Sequence, residues 1–309
     1  MERITADKPA PKVHWDGKSY GTVLGYKIFA WCLRIFGIRM AYSLLVGVVG
    51  YYFLRIKQAH RTAVYRFQNI YNSWPGRGKQ LGRCYIYQNL YAFGQILVDR
   101  IAVFLMDKRA WTVTHEGVEH LQKIAKTGGI LLSAHIGNWE VGCSFLHAIP
   151  GLDCSVVMLV VSDPIHQVEP AGNMSVISLA SQESVAFQLK KTLESGQLVV
   201  MHGDRFLAGM HTIEVDFMGH PARFPVGPYL MAAILEKEIA FASVMKSGVQ
   251  SYHFSCTQPR KYQWDASRAK DAQIRECVAE YVRFLEDQVR NYPEQWFNFY
   301  DFWTPDINK

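Results

Sequence analysis

A histidine and a glutamate five residues apart, His135 and Glu140, are the side chains of this sequence best suited to moving a proton. On one straight helix they would project about 140° apart and could not pair. The residues around them predict another geometry. Gly128-Gly129 marks a turn, Ile130 to Ala134 reads as a short buried strand, and Asn138 suits the N-cap of a helix beginning at Trp139. His135 then stands where the strand ends and Glu140 in the first helical turn, from which a carboxylate can reach back to one ring nitrogen. Such a contact fixes the tautomer and favours the imidazolium. The other nitrogen is left to take a proton from a hydroxyl. Open α/β sheets bind ligands at the carboxyl ends of their strands. The plainer alternative is a packed histidine beside a glutamate that only complements a helix dipole.

The elements that must hold this pair follow from the pattern beyond residue 112. Candidate strands at 129–134, 155–161, 176–179, 198–202, 239–244 and 251–256 alternate with candidate helices at 139–148, 182–195, 227–237 and 271–291. That alternation predicts an α/β fold, a layered αβα domain with a mixed sheet over 112–309. Upstream, residues 1–18 read as a flexible polar tail without the pattern of a signal peptide. Residues 19–111 read as a membrane-associated helical region. Apolar residues at helical spacing over 20–36 are broken at Gly37, and an uncharged run from Met40 to Leu54 lies between Arg39 and Arg55. Fifteen residues of helix span about 22 Å, short of a hydrocarbon core of about 30 Å. The run therefore suits a helix embedded in one leaflet better than a full crossing. Basic and aromatic residues interleave over 55–73, a loop follows at 74–78, and 80–107 is again helical and apolar.

Charge divides the chain the same way. Of 33 Lys and Arg and 27 Asp and Glu, residues 1–111 hold 17 and 5, so an overall +6 conceals a strongly basic amino-terminal third. Basic residues among aromatics suit an anionic membrane surface or the acidic surface of a carrier protein; no nucleic-acid-binding motif accompanies them. The six cysteines form no Cys-x-x-Cys pair, which fits a reducing compartment and neither a zinc site nor a disulfide framework. His202-x-Asp204 alone is no metal ligand set, and no metal is expected.

The segment His135-Ile-Gly-Asn-Trp-Glu140 resembles the signature of the bacterial lipid A late acyltransferase family, within the wider group of His-x4-acid lysophospholipid-type acyltransferases. Gly203-Asp204-Arg205, Val215-Asp216-Phe217-Met218-Gly219, Phe224-Pro225-Val226-Gly227-Pro228 and Pro293-Glu294-Gln295-Trp296-Phe297 follow in the order that the resemblance implies, which extends from about Trp15 to Trp303. It implies transfer of a fatty acyl chain from acyl carrier protein or acyl coenzyme A, as a co-substrate and with no further cofactor, to a hydroxyl of a lipid acceptor. The setting implied is the cytoplasmic face of a bacterial inner membrane. His135 would be the general base and Glu140 the carboxylate orienting it. Backbone N–H groups from Gly137 to Trp139 would face the oxyanion, with Asn138 as a further donor or only a cap. Asp204 and Arg205 would line the same cleft, Arg205 toward a phosphate, with Arg223 a second candidate phosphate contact. Members acting on lipid A usually carry Arg-Pro and then Asn-Pro after the strand matching 155–161. Here Val161-Ser162-Asp163-Pro164 lacks that arginine, and the Gly-Asp-Arg form is closer to relatives acting on other glycolipids or envelope pigments.

Two other functions fit the same residues. A thioesterase or lipid hydrolase would use the dyad with water as acceptor, without a Gly-x-Ser-x-Gly elbow, which this sequence lacks. A non-enzymatic lipid-binding membrane protein would use the basic, aromatic amino-terminal part and leave the His135–Glu140 pair idle.

Overall fold

A computed structural model describes residues 22–146, 154–158, 174–179, 184–207 and 209–303. The expectations for the tail at 1–18 and for Val161 to Pro164 lie outside these residues. Three long helices come first: α1 (Val23–Arg55), α2 (Gln58–Ser73) and α3 (Tyr85–Leu105). Strands and helices then alternate through β1 (Thr112–Glu116), α4 (Val118–Thr127), β2 (Gly129–Ser133), α5 (Trp139–Leu146), β3 (Cys154–Met158), β4 (Met174–Ser178), α6 (Val185–Glu194) and β5 (Leu198–His202). The chain continues through the hairpin β6 (Thr212–Phe217) and β7 (His220–Pro225), then α7 (Gly227–Ile234), β8 (Glu238–Gly248), β9 (Ser251–Cys256), β10 (Arg260–Lys261) and α8 (Lys270–Asn291).

The main sheet runs β1-β9-β8-β2-β5-β3-β4, with β10 added on β8. β8 is antiparallel to β9 and to β10; the other neighbours are parallel, so the sheet is mixed as the sequence predicts. β2 lies at its centre with every residue buried. A strand covered on both faces has no polar side to show, which is why it reads as a continuous apolar run. Ile130 and Leu132 join the core beneath α7 and α8, and Leu131 joins the core on the side of α1, α3, α4 and α5. Both cores mix residues of α1–α3 with residues of the sheet.

The structure adds β1, α4, the hairpin β6–β7 and β10 to the expected elements, and α7 ends at Ile234, short of the expected 237. α1 is continuous in outline, with Gly37 at φ 75° breaking the helical path. β1 escaped because it is an edge strand whose side chains are mostly exposed, so no apolar alternation marks it. α4 is a short amphipathic helix between β1 and β2, outside the expected elements. The hairpin β6–β7 turns on Met218 and Gly219, both at positive φ, a two-residue connection that the alternation of Ile213, Val215 and Phe217 alone does not reveal.

α1 is long and apolar enough to cross a membrane, and about 39% of its most apolar stretch is buried against protein. Eleven large apolar side chains on it are exposed, among them Leu24, Trp31, Ile35, Phe36 and Leu54. A face of that size is what a soluble surface avoids and a bilayer accommodates. Its inward side, carrying Leu33, Ile38, Tyr42, Leu45 and Val49, packs on α3.

Candidate active site

Strand register brings the site together. β2 and β5 are parallel, with Ser133 opposite His202, so both chains leave the sheet side by side at its carboxyl edge. One residue further, the Gly203 N–H donates to the Ser133 carbonyl at 2.8 Å, and the Tyr281 hydroxyl from α8 donates to the same carbonyl at 2.8 Å. Asp204 is thereby carried to His135. Its Oδ2 accepts the His135 backbone N–H at 2.9 Å, and its Oδ1 lies 2.9 Å from Nδ1 of the ring. The Asp204 side chain is 2% exposed and the His135 side chain 29%, so the carboxylate is sealed in while the ring keeps an opening.

This replaces one expectation. The carboxylate that holds the His135 ring is Asp204, sixty-nine residues away in sequence, and not Glu140. Glu140 is paired with Arg100 of α3 at 3.0 Å, where the arginine side chain is 7% exposed. The reason is the turn between β2 and α5. Gly137 sits at φ 63°, and a Cβ there would collide with the Val244 carbonyl. This left-handed residue swings the chain so that the first turn of α5 faces α3. Arg100 was the signal available in the sequence: an Asp99-Arg100 pair inside an apolar helix must find buried partners.

The oxyanion expectation also changes. The Gly137 N–H is spent on the Gln295 carbonyl at 3.0 Å and the Asn138 N–H on the Val244 carbonyl at 2.7 Å. Asn138 is 1% exposed and its side chain is committed: Oδ1 accepts the Val141 N–H at 3.2 Å, and Nδ2 donates to the Tyr252 hydroxyl at 3.0 Å. It is a cap and a clamp, so neither residue offers a donor to substrate. Trp139, the first residue of α5, carries an N–H that the helix itself cannot satisfy.

Arg205 follows Asp204 at the same edge of the sheet. Its Nη2 donates to the Phe297 carbonyl at 2.7 Å, its guanidinium lies 5.4 Å from the centre of the Tyr300 ring, and its Nε is buried with no partner among the described residues. Arg223 is elsewhere. It is exposed on β7 opposite Glu214, on the face away from buried Ala222 and Phe224, and the structure does not bring it to His135. The carboxyl-terminal Pro293–Phe297 segment closes the site from one side. Phe297 N–H donates to the His135 carbonyl at 3.1 Å, and Ile136 bridges to Trp296.

His202 is the residue that sequence reasoning set aside. Its ring centre is 4.3 Å from that of His135 and 5.4 Å from Trp139, and its Nδ1 is buried without a partner among the described residues. Burial, and then the neighbouring His135, push its pKa down to about 3, so it is neutral at any ordinary pH. Burial and the charge of Arg205 also lower His135, against the raising effect of Asp204. Burial alone would raise Asp204, but attraction and hydrogen bonding to His135, with Arg205 and His202, hold it well below the usual carboxylate range. Burial raises Glu140, with Arg100 acting against it. The arrangement is thus an ionised carboxylate holding a neutral imidazole, able to accept a proton and then to be stabilised as imidazolium.

Ligand atoms of His135, His202 and Asp204 lie within 4.8 Å of one another. Both Asp204 oxygens are already engaged by His135, and the Arg205 cation beside them opposes a second positive charge, so the donor set suits a proton better than a metal ion.

The structure thus sets a partly exposed histidine on a buried aspartate at the carboxyl edge of a mixed sheet, in a chain that also carries a long apolar helix. A model of the bacterial lipid A biosynthesis acyltransferase family matches residues 11–304. The chain belongs to this family of acyltransferases. It is similar to the phosphatidylinositol mannoside acyltransferases of two Mycobacterium tuberculosis strains, H37Rv and CDC 1551 / Oshkosh, each 28% identical over 123 residues. That similarity spans 38% of this chain and about two fifths (39%) of the length of those relatives.

Proposed function

We propose that this chain transfers a fatty acyl group from a thioester, carried by acyl carrier protein or coenzyme A, to a hydroxyl of a glycolipid acceptor at the cytoplasmic face of a bacterial inner membrane. The observation that carries the reading is the His135–Asp204 pair, found in a chain of the lipid A biosynthesis acyltransferase family. His135 Nε2 takes the proton of the acceptor hydroxyl as the oxygen attacks the thioester carbonyl. Asp204 holds Nδ1–H and stabilises the imidazolium that forms. The tetrahedral oxyanion is met by the Trp139 N–H at the start of α5. Collapse expels the thiolate, which receives the proton back from His135, giving ester and free thiol. No acyl-enzyme is needed. Arg205, with an unpartnered Nε, binds a phosphate of the acceptor or of the donor's pantetheine arm. Exposed apolar side chains of α1 hold the cleft at the lipid surface.

The acceptor class favoured is a lipid A precursor or another envelope glycolipid, the latter supported by the mannoside acyltransferase similarity. The test is lipid mass spectrometry of the native host with the gene deleted and then restored as wild type or His135→Ala. The expected result is one glycolipid that loses a single acyl mass and regains it only with wild type. Restoration by His135→Ala refutes the mechanism. A change confined to the free fatty acid pool instead identifies a hydrolase.

A further inference from the structure

The polar interior between α1 and the sheet is organised on Asp99, a side chain that acyl transfer does not use. Asp99 of α3 is fully buried, and donors from three other elements end on its oxygens. The Tyr42 hydroxyl of α1 donates to Oδ1 and the Tyr252 hydroxyl of β9 to Oδ2. The Lys246 ammonium of β8 donates to Oδ2 at 2.6 Å and to the Tyr42 oxygen at 2.8 Å. The Tyr252 oxygen in turn accepts the Asn138 Nδ2–H, and Asn138 caps α5 three residues after His135. A continuous run of hydrogen bonds therefore joins the helix with the exposed apolar face to the turn that carries the base. The other side of that turn is tied to the same hub. The Gln295 carbonyl takes the Gly137 N–H, while its side chain accepts the Lys246 N–H at 2.9 Å and donates to the Lys246 carbonyl at 2.7 Å.

Stability alone gives little reason for such a hub. Withdrawing a carboxylate and an ammonium from water costs about as much as their attraction returns, and well-packed apolar residues would serve as well. What a fully satisfied buried network adds is a unique geometry. We infer that Asp99 is a positioning residue: through Tyr252 and Asn138 it sets where His135 sits, and through Tyr42 it makes that position depend on the seating of α1 in the bilayer. The kinetic part of this inference rests on the proposed acyl transfer; the structural part does not.

The test uses full-length protein in vesicles of phosphatidylethanolamine and phosphatidylglycerol, as wild type, Tyr252→Phe, Tyr42→Phe and the double variant. Two quantities are read. One is kcat and KM for acyl transfer. The other is the rate at which diethylpyrocarbonate modifies His135, resolved by peptide mass spectrometry, which needs no turnover. Losing one hydrogen bond to a buried charge corresponds to about a tenfold fall in kcat, with KM for donor and acceptor within about twofold of wild type. The His135 modification rate shifts in the same variants. The double variant falls no further than the weaker single one, because both act through one hub. Unchanged kcat and unchanged His135 reactivity in Tyr252→Phe overturn the positioning role, and losses that multiply in the double variant overturn the link to α1. If Tyr252→Phe fails to fold, Asn138→Ser, which keeps a capping oxygen but drops the donor to Tyr252, reads the same link. Shifted His135 reactivity in a chain whose wild type transfers no acyl group removes the proposed reaction and leaves the positioning link standing.

Discussion

Asp204→Asn separates the geometry described here from the one that sequence spacing suggests. The substitution keeps shape and removes charge. Asp204 makes two contacts with His135, one to the backbone N–H and one to Nδ1, both at 2.9 Å. Its attraction for the ring grows only as the imidazolium forms, so the loss falls on the transition state and appears in kcat rather than in KM. A hydrogen bond to a charged group is worth about 1.5–3 kcal/mol, and about 1.4 kcal/mol is a factor of ten, giving roughly 10- to 100-fold. The Asn amide can also donate to Nδ1 and so stabilise the tautomer with its proton on Nε2, which cannot act as base; this places the expected loss near the upper end, about 100-fold. The assay is thiol release from an acyl thioester with lipid acceptor, followed across pH. The working base is the free imidazole, so in the wild type the rate falls as pH drops through the His135 pKa, which lies below the ordinary value of about 6.5. Asp204 is the influence that raises that pKa, so its removal moves the acid limb to still lower pH while kcat falls. Wild-type kcat in Asp204→Asn, or an acid limb displaced upward, refutes the assignment.

Other expectations are more compact. Glu140→Gln removes the carboxylate charge that faces the buried Arg100 guanidinium, so the denaturant midpoint falls, while the acid limb of the activity stays in place. A displaced limb would return Glu140 to direct contact with the base. Gly137→Ala forces a left-handed backbone and a collision with the Val244 carbonyl, so either soluble yield or kcat collapses; a fully active variant contradicts the turn. Arg205→Lys loses the donor to Phe297 and the stacking on Tyr300, and raises KM for the phosphate-bearing substrate more than it lowers kcat, measured by titrating each substrate in turn. For His202 the sign runs as for any histidine held neutral. The unfolded chain takes up a proton near pH 6.5 that the folded one refuses until about pH 3, so folding stability declines across that window as pH falls, and His202→Phe flattens the decline in a urea series.

Much of the fold is written locally. The apolar run of β2, the stop after α8 at Tyr292-Pro293 and the break at Gly37 are each decided by residues within a turn or two of the feature, so periodicity and breakers reveal them. His135 belongs to this class, because a strand that ends in a polar residue before a glycine turn announces its own edge. The mixed sheet followed from the alternation, while polar β1 did not, because an edge strand takes its partner from β9 rather than from any pattern of its own. The pairing of carboxylates was beyond local reading. His135 and Glu140 lie five positions apart and are held in different directions by one left-handed glycine, whereas Asp204 meets His135 only because β2 and β5 lie in parallel register. Buried charges obey the same rule. A place in an apolar helix requires Asp99 and Arg100 to find partners; that the partners include Lys246 with two tyrosines, and Glu140, depends on how α3 lies across the sheet. Sequence fixes what a residue can do within the reach of its own backbone. Which two distant groups share a proton is decided by packing, since a hydrogen bond acts over about 3 Å and nothing along the chain records which strands will come that close.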